Sequence, residues 1–121
     1  MGKKKILVVD DEVNQGLLYE QELTGEGYEV DVANSGERAL QMVKEKKYDL
    51  VVLDIGMPAM DGLETLGKLL SMDNKLQVIL NTAYPSYKDN FMSWAADAYV
   101  VKSSDLTELK KKIKKSLSGK S

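Results

Sequence analysis

Leu50-Val51-Val52-Leu53-Asp54-Ile55-Gly56-Met57-Pro58-Ala59-Met60-Asp61-Gly62 is the stretch around which the chain is organised. Four apolar residues run into an aspartate, and glycine and proline punctuate the residues after it. An apolar run this short, bounded by turn residues, reads as a strand covered on both faces. Sheets of such strands place their ligands beyond the carboxyl ends of the strands. Asp54 stands at that end. The stretch alone leaves two readings open, an acid that caps a turn and an acid that does chemistry.

Composition narrows the chemistry. The 121 residues predict one domain, spanning 1–121. A length of this order builds a core without disulfide or metal staples. Hydrophobic residues at 43% and charged residues at 30% mark an ordered globular chain rather than a disordered one. A formal net charge of −2 gives nucleic acid and anionic membranes no electrostatic advantage as partners. Cysteine and histidine are both absent, which excludes disulfides, thiolate or imidazole metal sites, cysteine nucleophiles and histidine-based acid–base catalysis. What remains is carboxylates, hydroxyls, lysines and backbone, and oxygen donors suit hard cations such as Mg²⁺ or Ca²⁺. No stretch approaches the roughly 20 apolar residues of a membrane span. Lys3-Lys4-Lys5 leads into an apolar run too short for a signal peptide, and Gly2 lacks the Ser or Thr at position 6 that myristoylation favours. The expected location is cytoplasmic.

Outward from Asp54, the same pattern recurs. Ile6 to Val9 is a second continuous apolar run, ending in Asp10-Asp11-Glu12. Asn14 to Glu26 is expected to be helical, with Val13, Leu17, Leu18 and Leu23 on or near its apolar face and Gly27 just past its end. Tyr28 to Val32 alternates apolar and polar, so it predicts a half-exposed strand near a sheet edge. Asn34 with Glu37 forms a possible capping box for a helix carrying Ala39, Leu40 and Val43. Asp61, with Glu64 three residues on, opens a helix with a Leu63, Leu66, Leu69, Leu70 stripe. Gln77 to Leu80 predicts a fourth strand, followed by Asn81-Thr82. Pro85 opens a short helical stretch with Tyr87, Phe91 and Trp94. Ala98 to Val101 is a fifth strand ending in Lys102, and Ser103-Ser104-Asp105 introduces a last helix with Leu106, Leu109, Ile113 and Leu117 inward. Its lysines from Lys110 to Lys115 read as a solvated face. Five strands alternating with five helices predict an α/β fold, a doubly wound parallel sheet with helices on both faces.

Four strands thus end in polar residues: Asp10-Asp11, Asp54, Thr82 and Lys102. In a doubly wound sheet those tips share one edge. Clustered carboxylates repel unless a cation neutralises them, and Mg²⁺ typically takes one or two carboxylates, waters and phosphate oxygens. Asp54 then suits a carboxylate nucleophile toward phosphorus, with Thr82 and Lys102 donating to phosphoryl oxygens.

These residues bring the chain to a family. With Val8-Val9-Asp10-Asp11-Glu12, Leu53 to Gly62, Asn81-Thr82-Ala83, Ala96-Asp97-Ala98-Tyr99 and Val101-Lys102, it resembles the receiver domain of bacterial two-component response regulators, close to the single-domain kind used in phosphorelays. The resemblance runs from Lys5 to Leu117. It implies a flavodoxin-like (βα)5 fold with strand order 2-1-3-4-5. It implies that Asp54 accepts a phosphoryl group from the phosphohistidine of a sensor histidine kinase or phosphotransfer protein. Mg²⁺ would be held by Asp11 directly, by Asp10 mainly through water, by Asp54 and by the Gly56 carbonyl. Thr82 would bond a phosphoryl oxygen and move on activation, Lys102 would pair with another oxygen, and Tyr99 would be the switch aromatic. The face made by the fourth helix, the fifth strand and the last helix would then control a downstream protein or a fused output domain. Such a domain is a phosphorylated regulator, not an enzyme beyond assisting its own phosphorylation and autodephosphorylation.

The chain departs from the family pattern in two places. Ser103 follows Lys102 where the family usually has proline, and the stretch from Thr82 to Lys102 is slightly short, with Ala95 in place of the usual glycine. These changes touch the output face more than the phosphorylation chemistry, and they leave room for a second reading, a receiver-fold interaction module that signals without phosphorylation. Other chemistries on this fold fit less well. An aspartyl-nucleophile phosphatase wants a second Asp at position 56, which is Gly56. A flavodoxin wants a Ser/Thr-rich phosphate loop where Asp10-Asp11-Glu12 stands.

Overall fold

The computed structural model describes residues 3–54, 62–73, 75–82, 96–102 and 105–118, with only the backbone of residues 62 and 63. Several expectations lie outside the described residues: the Gly56 carbonyl, the Asp61 cap, the helical stretch from Pro85 to Trp94, Ala95 and the Lys102–Ser103 peptide.

Within the described residues the chain runs β1 (Lys5–Val9), α1 (Val13–Gly25), β2 (Glu29–Ala33), α2 (Gly36–Glu45), β3 (Leu50–Leu53), α3 (Gly62–Met72), β4 (Gln77–Thr82), β5 (Ala98–Val101) and α4 (Thr107–Ser118). The strands form one parallel sheet in the order β2-β1-β3-β4-β5. The order follows from the sequence pattern. The continuous apolar runs of β1 and β3 are buried on both faces and sit centrally, while alternating β2 takes an edge. The chain winds outward in opposite directions from β1 and β3, so the switch point of the sheet lies between Asp10 and Asp54.

The pleat divides the core in two. Leu7, Val9, Val51, Leu53, Val78 and Leu80 pack with Ala39 of α2 and Leu66 and Leu69 of α3. Ile6, Val8, Leu50, Val52, Ile79 and Val100 pack with Tyr19 and Leu23 of α1 and Leu109 and Ile113 of α4. Two aspartates lock the strand starts. Asp49 exchanges two hydrogen bonds with Lys5, its amide donating to the Lys5 carbonyl at 2.8 Å and its carboxylate accepting the Lys5 N–H at 2.8 Å. Asp97 does the same with Val78, again at 2.8 Å in both directions.

Three local expectations are corrected. The inward face of α1 is Gly16, Tyr19 and Leu23, whereas Val13, Leu17 and Leu18 are 64%, 54% and 38% exposed. Positions 16, 19 and 23 share one helical stripe, but a glycine and a tyrosine mark it less strongly than the neighbouring leucines. The cap of α2 is Ser35, whose hydroxyl accepts the Arg38 N–H at 3.1 Å, not Asn34 with Glu37. Asn81 and Thr82 belong to β4 rather than following it. Gly27 stands as expected past α1, at φ +99° where an L side chain is strained.

Candidate functional site

Sheet pairing continues one step past the ends of the central strands. Asp10 N–H donates to the Ala33 carbonyl at 3.1 Å and Asp54 N–H to the Val9 carbonyl at 3.0 Å. The backbones of both acids are therefore fixed by the sheet, and their side chains are buried, with Asp10 2% and Asp54 7% exposed. Asp11 is exposed beside them. Carboxylate oxygens of Asp10, Asp11 and Asp54 lie within 4.8 Å of one another.

Lys102 reaches this cluster from the end of β5. Its amide donates to the Thr82 carbonyl at 2.7 Å, which fixes its backbone against the tip of β4. Its ammonium donates to Asp10 Oδ2 at 2.7 Å and to Asp54 Oδ2 at 3.1 Å. The other oxygen of Asp10 accepts the Glu12 N–H at 2.9 Å, where the chain turns into α1. Burial pushes the Asp10 carboxyl above its ordinary value, against the opposing pull of Lys102 and the Glu12 amide. Burial also works against the charge on Lys102, but the hydrogen bond to Asp10 and the charges of Asp54 and Asp10 outweigh it and hold its pKa above the ordinary value.

The sequence-predicted residues thus come together at one sheet edge. Asp10, Asp11, Asp54 and Lys102 are in direct contact or within ligand-sharing distance. Thr82, fully buried, ends β4 beside them. Tyr99 pairs with Leu80 and Val101 with Thr82, so Tyr99 shares a sheet face with Thr82 and packs half-buried against the α2–α3 side. An oxygen-only set of three carboxylates fits a hard divalent cation, because such an ion relieves the repulsion that Lys102 relieves only in part.

Two buried polar residues were not singled out by the sequence pattern as part of this site. Tyr19 of α1 and Asn81 of β4 are 1% and 3% exposed. Burial pushes the Tyr19 phenol above its ordinary pKa, and the charges of Lys102, Asp10 and Asp54 all act on it. The polar residue in the otherwise apolar run before Thr82 was the available signal.

The chain matches the response regulator receiver domain family over residues 6–114. It is 36% identical over 114 residues to the transcriptional regulatory protein ZraR of Escherichia coli K12, which covers 93% of this chain and 26% of that protein, so the chain spans about a quarter of that relative's length. It is 34% identical over 123 residues to the sporulation initiation phosphotransferase F of Bacillus subtilis, covering 100% of this chain and 99% of that one. Among solved structures it is similar to the response regulator protein TrrA of Thermotoga maritima in complex with Mg²⁺–BeF, with 51% identity, a TM-score of 0.91 and coverage of 94% of this chain and 99% of that one. TrrA in complex with the histidine kinase ThkA matches with a TM-score of 0.89 and the same identity, over 94% of this chain and 98% of that one. The chain belongs to the response regulator receiver domain family, and so to the phosphoacceptor switches of two-component signalling.

Proposed function

We propose that Asp54 is the phosphoacceptor of this receiver domain and that Asp10, Asp11 and Asp54 hold Mg²⁺ beside it. The observation that carries the reading is the single site in which Lys102 bridges buried Asp10 and Asp54 with Asp11 in ligand-sharing range. A carboxylate oxygen of Asp54 attacks phosphorus, a P–O bond forms, and the P–N bond of a partner's phosphohistidine breaks with its electron pair leaving on the imidazole. The reaction needs positioning and charge neutralisation more than proton transfer, which a site without histidine provides. Bound Mg²⁺ supplies charge neutralisation at the phosphoryl oxygens. The Lys102 ammonium and the Thr82 hydroxyl donate to those oxygens, and the pull on Thr82 reaches Tyr99 on the same face. The Gly56 carbonyl completes the metal ligands in this reading.

The phosphodonor is a sensor histidine kinase or a phosphotransfer protein, in keeping with the TrrA complex with ThkA. Val13 and Leu17, exposed apolar residues of α1, line a groove with Asp10, Val32, Asn34 and Arg38, and they offer such a partner a contact that reaches the acidic cluster at Asp10. The target is a downstream protein or an output domain, the protein acts in the cytoplasm, and its only catalysis is assistance to its own phosphorylation and autodephosphorylation. Among the described residues, no helix is long and apolar enough to cross a membrane.

The test is incubation with a small acyl phosphate, with Mg²⁺ or with a chelator, and then peptide mapping. Modification confined to Asp54 and lost with the chelator is expected, and modification elsewhere or independent of metal contradicts the reading. Leu17→Arg is expected to slow transfer from a phosphohistidine protein by at least about fivefold while leaving the small donor's rate unchanged. Equal rates from the protein donor overturn the docking role of α1.

A further inference from the structure

Helix α4 carries a charge opposite in sign to the chain as a whole. Thr107–Ser118 holds five lysines and one glutamate, a formal +4 in a chain whose total is −2. The fold accounts for one of the lysines: Lys110 donates to Glu22 Oε1 of α1 at 2.8 Å and stands 3.6 Å from Glu26. Lys111, Lys112, Lys114 and Lys115 form no ion pair among the described residues. Lys110 with Lys114 and Lys111 with Lys115 are like charges one turn apart, an arrangement that weakens a helix. Buried Leu109 and Ile113 hold α4 to the sheet. The unpaired lysines weaken the fold, and a bound counter-charge would relieve them.

A groove of about 500 Å³ lies between α4 and the last two strands. Among the described residues its apolar lining is buried Val100, Leu106 and Leu109, with Val101 at 46% exposure. Lys111, Lys112 and Lys115 line it too, and those three positions fall on one side of a helix. Its two acids, Asp105 and Glu108, stand at the N-terminal end of α4, where acids suit the helix dipole. Asp105 is engaged there, accepting the Thr107 N–H at 3.0 Å and the Thr107 hydroxyl at 2.6 Å. Beyond those acids the charged lining is all lysine. Asn81 and Val101 also line the groove, and each is followed directly by a residue of the site, Thr82 and Lys102. The groove therefore adjoins the strand ends that carry the phosphoryl chemistry.

We propose that this groove docks an acidic amphipathic segment of the downstream target, with apolar side chains against Val101 and Leu106 and carboxylates on Lys111, Lys112 and Lys115. The proposal rests on the reading that the chain acts on a target protein, and it supplies the chemistry of that target. Apolar lining beside cations fits such a segment better than it fits a nucleic acid or an anionic membrane. A polyanion would meet Asp105 and Glu108 in the same groove, on a chain of negative net charge. Phosphate recognition also favours arginine, and α4 has none.

The probe is a synthetic peptide that alternates pairs of glutamates with leucine, titrated into the whole chain while backbone amide shifts are followed. Shifts at β5 and α4 are expected, with an affinity that falls as salt rises. Lys111→Gln/Lys115→Gln is expected to weaken binding about tenfold. Lys44→Gln/Lys47→Gln changes the net charge equally on α2 and the turn after it, and is expected to stay within about twofold of wild type. A peptide with serine in place of leucine is expected to bind less tightly than the parent. Absence of binding, equal losses in the two variants, or duplex DNA or phosphatidylserine vesicles binding as tightly as the peptide overturns the proposal. Phosphorylation by acetyl phosphate is measured on the same proteins. A wild type that binds the peptide but gains no phosphoryl group overturns the Asp54 reading and supports the docking groove.

Discussion

Lys102 neutralises two buried carboxylates at once, and its removal leaves Asp10 and Asp54 facing each other out of water. Lys102→Met is therefore expected to lower stability by about 3 kcal/mol without metal, and to recover most of that loss at saturating Mg²⁺. Urea unfolding with and without Mg²⁺ checks this; an equal loss under both conditions means that the lysine contributes packing alone. A second ionic site lies on β2. Hydrogen bonds from Lys46 and Tyr48, at 2.8 and 2.7 Å, hold the Asp31 carboxyl below its ordinary value of 3.8. A carboxyl with a depressed pKa stabilises the fold above its unfolded value, and that contribution fades as pH falls through the folded one. The stability gap between wild type and Asp31→Asn should be level at neutral pH and shrink in acid below about pH 4. A gap that persists unchanged to about pH 2 contradicts it. Asp10, Asp54 and Lys102 were legible in the sequence because each is a charged residue ending an apolar run. Buried Tyr19 was not, because the α1 residues that face inward depend on how α1 is rotated against the sheet.

That rotation is decided at the scale of the element. A methyl group at Gly16 would stand 2.8 Å from Val32 Cγ1, so α1 approaches β2 closely only because position 16 is glycine. Val32 is β-branched and yields poorly. Alanine in a helix interior gains about 1 kcal/mol over glycine, while overpacking costs about 1–3 kcal/mol, so Gly16→Ala is expected to be net destabilising by about 1 kcal/mol. In a Val32→Ala background the same change should become stabilising, and urea unfolding of the four proteins decides it. If Gly16→Ala stabilises the wild-type background, the close approach does not constrain the helix. The strand starts give another test. Asp97→Ala strands the Val78 N–H at the beginning of β4 and is expected to cost about 1–3 kcal/mol, with early loss of hydrogen-exchange protection at Val78. Protection unchanged at Val78 contradicts the anchoring role. Strand positions were readable from apolar runs, since burial on two faces leaves no other pattern. The inward stripe of α1 and the cap of α2 were not, because Leu17 and Leu18 mimic a core face and Asn34 and Ser35 are both good caps.

At the scale of the molecule, continuous runs in β1 and β3 and alternation in β2 decided which strands are central, and right-handed crossovers left few topologies for the rest. The order β2-β1-β3-β4-β5 places the switch point between the two buried acids, and Lys102 closes the site from two strands away. Membership of the receiver family accounts for that arrangement, and the proposed function makes it depend on one oxygen nucleophile, Asp54. Intact-mass measurement after incubation with Mg²⁺ and acetyl phosphate tests that dependence most directly. Wild type is expected to gain one phosphoryl mass and Asp54→Asn none; an unmodified wild type, or a phosphoryl group retained by Asp54→Asn, contradicts it.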